Sequence, residues 1–121
     1  MIAYKPVGRT IDVQLFLEDI RIDTKKATSL GLILNELLTN SLKYAFAEGI
    51  DGKVQVELKK TGRGIELSVI DDGSGLPRNF DPKTSGGFGL RLVGMLVKQG
   101  KGGIEYECNT DTVFRAWISL L

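Results

Sequence analysis

The stretch LGLILNELLTNSLKYAF, Leu30 to Phe46, has the pattern of an amphipathic helix whose two faces differ in chemistry. Offsets of four and seven residues return to nearly the same side of a helix, so Glu36, Asn40 and Lys43 share one polar stripe. The opposite stripe is mostly apolar and has the width that packs a helix on a core. Its members are Leu30, Leu34, Leu37, Leu38, Ser41, Leu42 and Ala45. The sequence therefore predicts that one face packs and that the other is free to do chemistry.

The polar stripe has two interpretations. A Glu, an Asn and a Lys on the outer side of an amphipathic helix usually form a solvated face with no further role. A binding or catalytic face would carry the same residues. The helix alone does not decide between these interpretations, so the decision rests on the rest of the chain.

Composition limits the classes of function. The 121 residues, 42% of them hydrophobic, are the size of one domain with a single core. The formal net charge of +1 gives no electrostatic case for binding nucleic acid or an anionic membrane. The chain has no histidine, which excludes histidine-based acid–base catalysis and HExxH zinc sites. With one cysteine, no long apolar run and no signal peptide, we expect a cytoplasmic protein without direct membrane contact.

Hydrophobic periodicity along the chain predicts the element order β, α, β, β, α, β, β. Apolar residues alternate in Ile11–Leu17 and in two later hairpins, whereas helical periodicity runs up to Phe46 and from Phe88 to Gln99. These elements predict an α/β two-layer sandwich, in which a five-stranded mixed sheet carries two main helices on one face. We expect residues 1–10 to be a linker or a non-native start, and residues 11–121 to form the domain.

Two glycine-rich segments accompany the helix. DDGSG at residues 71–75 follows a predicted strand, and GGFGL at residues 86–90 opens the second helix. Each alone is compatible with a plain turn or connector. Together, and after Glu36-x-x-x-Asn40, they resemble the three nucleotide-binding boxes of the Bergerat-fold (GHKL) ATPases, which include gyrase, the heat-shock-90 chaperones, histidine kinases and MutL. Within this superfamily the chain most resembles the catalytic ATP-binding domain of sensor histidine kinases with the second type of dimerisation domain, related to the HWE kinases.

The resemblance implies a role for each polar position. Asp71 would accept a hydrogen bond from the exocyclic amine of adenine, and Gly73 and Gly75 would let the backbone pass beside the base. Asn40 resembles the family's Mg²⁺ ligand, a neutral oxygen that suits a hard cation. Glu36 resembles the residue that orients a metal-bound or attacking water. The resemblance thus implies ATP and Mg²⁺ as cofactors.

The phosphates would be held by cations and by amides at the end of the second helix. Lys43 would neutralise phosphate charge from the polar stripe, and the helix-end amides would meet the phosphates at the positive end of the helix dipole. The residues of this segment expected to bind the nucleotide are Gly86, Gly87, Gly89 and Leu90. Lys83 and Arg91 are further candidates for phosphate contact.

The function implied by the resemblance is transfer of the ATP γ-phosphoryl group to a histidine. Because the chain has no histidine, the acceptor would be the histidine-bearing dimerisation domain of the full-length sensor, with a response regulator receiver domain downstream. Two alternatives stay open. One is a stand-alone anti-sigma-factor-type kinase that modifies a protein serine. The other is a non-enzymatic interaction module, in which ATP only changes the shape of the loop from Pro77 to Gly87.

Overall fold

The described part of the chain forms one mixed sheet and two helices. The computed structural model describes residues 2–4, 11–44, 52–73 and 87–120. In chain order the elements are β1 (Ile2–Tyr4), β2 (Ile11–Leu17), α1 (Thr24–Tyr44), β3 (Gly52–Thr61), β4 (Gly64–Asp71), α2 (Gly87–Gln99), β5 (Gly103–Cys108) and β6 (Thr112–Ile118). The strands form a six-stranded sheet in the order β1-β2-β3-β4-β6-β5, in which only the β2–β3 pair is parallel among the strand pairs of the described ranges. The predicted two-layer mixed sheet is confirmed.

One strand was not predicted. The five predicted strands are present as β2 to β6, and β1 adds a sixth at the edge of the sheet. It lies within residues 1–10, the segment expected to be a linker, and pairs antiparallel with β2 through Ile2↔Val13 and Tyr4↔Ile11. Three residues are too few to show an alternating pattern, so periodicity gave no signal for this strand.

The core lies between the helices and the inner face of the sheet. α1 packs on β4 and β6, and α2 packs on β5 and β6. Because side chains alternate along a strand, every second residue of β4 and β6 points into this layer. The buried apolar side chains are Ile11, Val13, Leu30, Ile33, Leu37, Val54, Val56, Ile65, Leu67, Val69, Leu90, Val93, Val97, Phe114, Ala116 and Ile118.

The second half of β2 differs from its prediction. Ile11, Val13, Leu15 and Leu17 share one face, as predicted, and the first two are buried. Leu15 and Leu17 are 39% and 57% exposed, because the two helices lie over β4, β5 and β6 and leave this end of β2 uncovered. The alternation identified the strand, but the extent of its burial depends on where the helices pack.

The ends of α1 and β4 are fixed by local chemistry. Asp23 caps α1, since its Oδ1 accepts a hydrogen bond from the amide of Lys26 at 2.8 Å. β4 begins at Gly64, whose φ of 121° is a conformation that L side chains rarely adopt. No helix in the described ranges is long and apolar enough to span a membrane.

Candidate nucleotide-binding site

The candidate site lies where the end of β4 meets the C-terminal half of α1. Ile65, Leu67, Val69 and Asp71 occupy alternate positions of β4, so Asp71 continues the set that points into the helical layer. Its register partners are Val54 on β3 and Thr112 on β6. A carboxylate thus occupies an inner position of a central strand, where it is only 2% exposed.

Burial perturbs the ionisation of Asp71. Loss of water raises the pKa of the Asp71 carboxyl above its usual value of 3.8, and the negative charges of Asp72 and Asp111 act in the same direction. The amide of Gly73, which donates a hydrogen bond to Oδ1 at 3.1 Å, and the nearby hydroxyl of Ser41 oppose this shift. Among the described residues no ion pair holds the carboxylate, so it remains available to a donor from outside the chain.

Two consecutive polar side chains of α1 are also buried, and the second of them, Ser41, lies near this carboxylate. Asn40 is 8% exposed and Ser41 is 3% exposed. The Nδ2 atom of Asn40 and the Oγ atom of Ser41 have no hydrogen-bond partner within the described ranges. Ser41 is near enough to Asp71 to affect its pKa, yet the two groups are not in hydrogen-bond geometry. A buried polar group without a partner costs about 1–3 kcal/mol, so the two groups together indicate a place for a polar ligand.

The position of Asn40 around α1 differs from the prediction. Asn40 lies about 20° from Ile33 and about 40° from Glu36 around a helix that turns about 100° per residue. Ile33 and Leu37 are fully buried, whereas Leu34, Leu38 and Leu42 are only partly so. The core face of α1 is therefore rotated toward Ile33, which the predicted apolar stripe omitted, and Asn40 lies at its boundary. The solvated-face interpretation does not hold for Asn40.

Glu36 and Gly89 bring the first and third sequence boxes together. Glu36 is half-buried on α1, and Gly89 is the third residue of α2, which packs against α1. A Cβ atom added to Gly89 would overlap Oε2 of Glu36 and lie 3.2 Å from its carboxyl carbon. The Glu36 carboxylate therefore rests directly on the backbone of the first turn of α2.

The other predicted positions divide into three groups. Gly73 is half-buried and its amide binds Asp71, whereas Gly87 begins α2. Leu90 is 3% exposed and packs in the hydrophobic core, while Arg91 is exposed. Positions outside the described residues are Gly75, Lys83, Gly86, the loop from Pro77 onward and the side chain of Lys43. Within the described ranges, no group of three or more His, Cys, Asp or Glu side chains could hold a metal ion. The assignment of Asn40 as a Mg²⁺ ligand stays a prediction.

Sequence reasoning missed Ser41 and Thr112 as members of the site. Helical spacing predicts Ser41 in the packing stripe. Thr112 is 2% exposed, pairs with Asp71 across the β4–β6 ladder, and has its Oγ1 3.7 Å from Sγ of Cys108. The available signal was the alternation of β6, since Thr112, Phe114, Ala116 and Ile118 share the inner face and only the first is polar.

Comparison with known proteins agrees with the fold and the motifs. A family model for histidine kinase-, DNA gyrase B- and HSP90-like ATPases matches residues 25–121. Blue-light-activated histidine kinase 2 of Erythrobacter litoralis is 37% identical over 93 residues, covering 76% of this chain and 26% of that protein. Sensor histidine kinase PdtaS of Mycobacterium tuberculosis is 33% identical over 100 residues, covering 78% of this chain and 20% of that protein. The chain thus spans about a quarter or less of the length of these relatives.

A solved structure extends the comparison to three dimensions. The blue-light activated histidine kinase EL346 of Erythrobacter litoralis superposes with a TM-score of 0.83 at 28% identity, covering 91% of this chain and 35% of that one. The family model covers well over half of the chain, and the elements that carry its motifs are those described above. The predicted resemblance is confirmed: the chain belongs to the family of histidine kinase-, DNA gyrase B- and HSP90-like ATPases.

Proposed function

We propose that this chain is the catalytic ATP-binding domain of a sensor histidine kinase and transfers the ATP γ-phosphoryl group to a histidine on a separate dimerisation domain. The observation that carries the proposal is the set of buried polar groups at the end of β4 and in the C-terminal half of α1. Within the described ranges Asn40 Nδ2 and Ser41 Oγ have no hydrogen-bond partner, in a chain of an ATPase family. A fold that tolerates this cost needs a ligand to offset it.

In this proposal Asp71 recognises the base. One of its oxygens accepts the Gly73 amide, which leaves the other for the exocyclic amine of adenine. A hydrogen bond to a charged acceptor is about twice as strong as a neutral one. Gly73 and Gly75 would leave room for the base, and Thr112 would border it from the neighbouring strand.

The polar end of α1 would face the phosphates. The amide of Asn40 would offer its oxygen to the metal as one neutral ligand. Its Nδ2 atom, which has no partner within the described ranges, would donate a hydrogen bond to a phosphate oxygen. Bound Mg²⁺ would neutralise part of the triphosphate charge. Lys43 and the backbone of Gly86, Gly87 and Gly89 would contribute positive charge and amide donors to the same phosphates. Glu36 would orient water beside them.

The transfer itself balances without a further reactant. A ring nitrogen of the acceptor histidine attacks the γ-phosphorus, a P–N bond forms, and the bond from that phosphorus to the β,γ-bridging oxygen breaks. ADP leaves, and the proton of the attacking imidazole passes to solvent. Phosphoryl transfer needs positioning and charge neutralisation more than covalent chemistry from the protein, which is what the assigned residues supply.

The partners follow from the chain's composition and relatives. The sequence has no histidine, so the acceptor must come from another domain, and the named relatives are histidine kinases. We place the chain in the cytoplasm, with a response regulator receiver domain acting downstream and without nucleic acid or direct membrane contact.

A transfer assay tests the proposal. The chain is incubated with Mg-ATP and a separately expressed dimerisation domain that bears the acceptor histidine, and the same domain with that histidine replaced by glutamine is the control. We expect acid-labile, base-stable phosphate on the intact acceptor alone. The reaction should be slow and should depend on acceptor concentration, because a natural linker would supply an effective concentration on the order of millimolar.

Other outcomes of this assay identify the alternatives. Acid-stable phosphate on the serine of a candidate anti-sigma substrate would favour the serine kinase. Tight ATP binding without transfer to any acceptor would favour the non-enzymatic module.

A further inference from the structure

Gly89 has no conformational reason to be glycine. It lies inside α2, and its φ is outside the left-handed region, unlike that of Gly64. Glycine is less favourable than alanine within a helix, by up to about 1 kcal/mol in the helix interior. The space that its missing side chain leaves is therefore a reason for glycine at residue 89.

The space beside Gly89 is occupied by Glu36. A Cβ atom there would overlap Oε2, lie 3.2 Å from the carboxyl carbon and 3.8 Å from Cγ. Gly94 lies about one and a half turns further along α2. A Cβ atom added to Gly94 would have no neighbouring atom within 4 Å. Gly89 therefore differs from Gly94 in having the Glu36 carboxylate against it, and also in lying in the first turn of α2.

Neither helix can easily rotate to relieve such an overlap. Leu90 and Val93 anchor α2 in the core next to Gly89, and Ile33 and Leu37 anchor α1 on either side of Glu36. Well-packed cores resist rotation of this kind. A methyl group at residue 89 would instead push the Glu36 carboxylate out of its position.

We propose that Gly89 is a positioning residue, whose missing Cβ atom forms the seat of the Glu36 carboxylate and fixes it against the first turn of α2. The proposal deepens the proposed function and rests on the assignment of Glu36 there. It differs from the expectation that Gly89 serves only to let phosphate approach the backbone. In this position the Glu36 carboxylate lies between α1, which carries it, and the first turn of α2.

A double-mutant cycle tests the seat. The variants are Gly89→Ala, Glu36→Ala and the two combined, with Gly94→Ala as a matched control in both backgrounds. The first measurement is the melting temperature of the chain without nucleotide. Gly94→Ala should raise it by a few degrees in both backgrounds, because alanine favours the helix.

Gly89→Ala should behave differently in the two backgrounds. With Glu36 present it should raise the melting temperature less than it does in the Glu36→Ala background, where no carboxylate meets the added methyl group. An equal rise in both backgrounds would overturn the proposal. Because no nucleotide is present, a phosphate-approach role for Gly89 cannot produce the expected difference.

The second measurement is the rate of phosphoryl transfer at saturating Mg-ATP. We expect Gly89→Ala to lower this rate as far as Glu36→Ala does, and the double variant to fall by less than about a further twofold. Losses that multiply would show that Gly89 acts independently of Glu36, which overturns the positioning role. So would a Glu36→Ala variant with unchanged transfer.

The two measurements distinguish failure of this proposal from failure of the proposed function. If the wild-type chain transfers no phosphate to any acceptor, the proposed function fails. The melting-temperature cycle still decides whether Gly89 seats the carboxylate.

Discussion

Replacing Asp71 by asparagine should separate base recognition from folding. The side chain is 2% exposed, one oxygen accepts the Gly73 amide at 3.1 Å, and the other is proposed to accept the adenine amine. An asparagine has one oxygen and one NH₂ group. In either orientation of the asparagine amide, its NH₂ group faces a donor, either the Gly73 amide or the adenine amine. Asp71→Asn therefore loses one hydrogen bond in both orientations.

The size of the loss follows from the charge on the acceptor. A hydrogen bond to a charged group is worth about 1.5–3 kcal/mol, so ATP should bind about 10–100-fold more weakly to Asp71→Asn. GTP, which presents a carbonyl where adenine has an amine, should gain relative to ATP. Calorimetric titration of both nucleotides measures the change. Asp111→Asn is the matched control, because Asp111 is an exposed neighbour that raises the pKa of Asp71 without a proposed role in binding.

The same substitution should stabilise the chain at neutral pH. Burial raises the pKa of Asp71 in the folded state, so its carboxylate form disfavours folding at pH 7, and protonation relieves this cost. The contribution of Asp71 to the free energy of unfolding is thus largest below the pKa that it has in the unfolded chain. This contribution is lost as the pH rises through the pKa of the folded state. Urea denaturation should show Asp71→Asn more stable than wild type at pH 7, with the difference vanishing under acid.

Two results would refute this reasoning. Equal affinities of the wild-type chain for ATP and GTP would remove the role of Asp71 in base recognition. A variant less stable than wild type at pH 7, with a melting transition that no longer looks cooperative, would show that Asp71 is needed for folding rather than for the ligand.

Three further substitutions test other parts of the site and fold, each against a control in the same element or in the adjoining turn. Asn40→Leu should abolish most of the gain in ATP affinity that Mg²⁺ provides, while Asn35→Leu on the exposed face of α1 should leave it unchanged in calorimetry. Lys43→Ala should weaken ATP more than adenosine, because only ATP carries the phosphates, and Lys25→Ala should weaken neither. Gly64→Ala should lower the free energy of unfolding by about 2 kcal/mol or more in urea, since φ is 121° and a Cβ would meet the Ile118 carbonyl oxygen. Gly62→Ala, with nothing within 4 Å, should be nearly neutral.

Much of the site was predictable because its residues sit in regular patterns. The alternation that identified β4 also places Asp71 on the inner face, since Val69 and Asp71 are two residues apart. The glycine-rich motif then marked this aspartate as more than a strand residue. The contact between Glu36 and Gly89 was not predictable, because it depends on how far α2 slides along α1.

Other features depended on packing between elements that are distant in the chain. A helical pattern fixes which residues share a face, but the exact centre of the buried face depends on the neighbours. Here α1 turns Ile33 and Asn40 toward the core more than the leucine pattern indicated. The exposure of Leu17 at 57% has the same origin, because no local pattern states which strands the helices will cover.

β4 carries two buried carboxylates, and the difference between them shows what a structural charge and a binding charge look like in this fold. Glu66, on the face away from the helices, is 5% exposed and forms an ion pair with Arg63, whose guanidinium lies 3.7 Å from the centre of the Trp117 ring. That charge is neutralised within the chain. Asp71 has no such cation among the described residues, and in the same ranges Asn40 Nδ2 and Ser41 Oγ have no hydrogen-bond partner. Because a buried polar group without a partner lowers stability, the chain keeps Asn40 and Ser41 at a cost that folding alone does not explain. In the proposed function, a bound nucleotide would supply acceptors for these two donors.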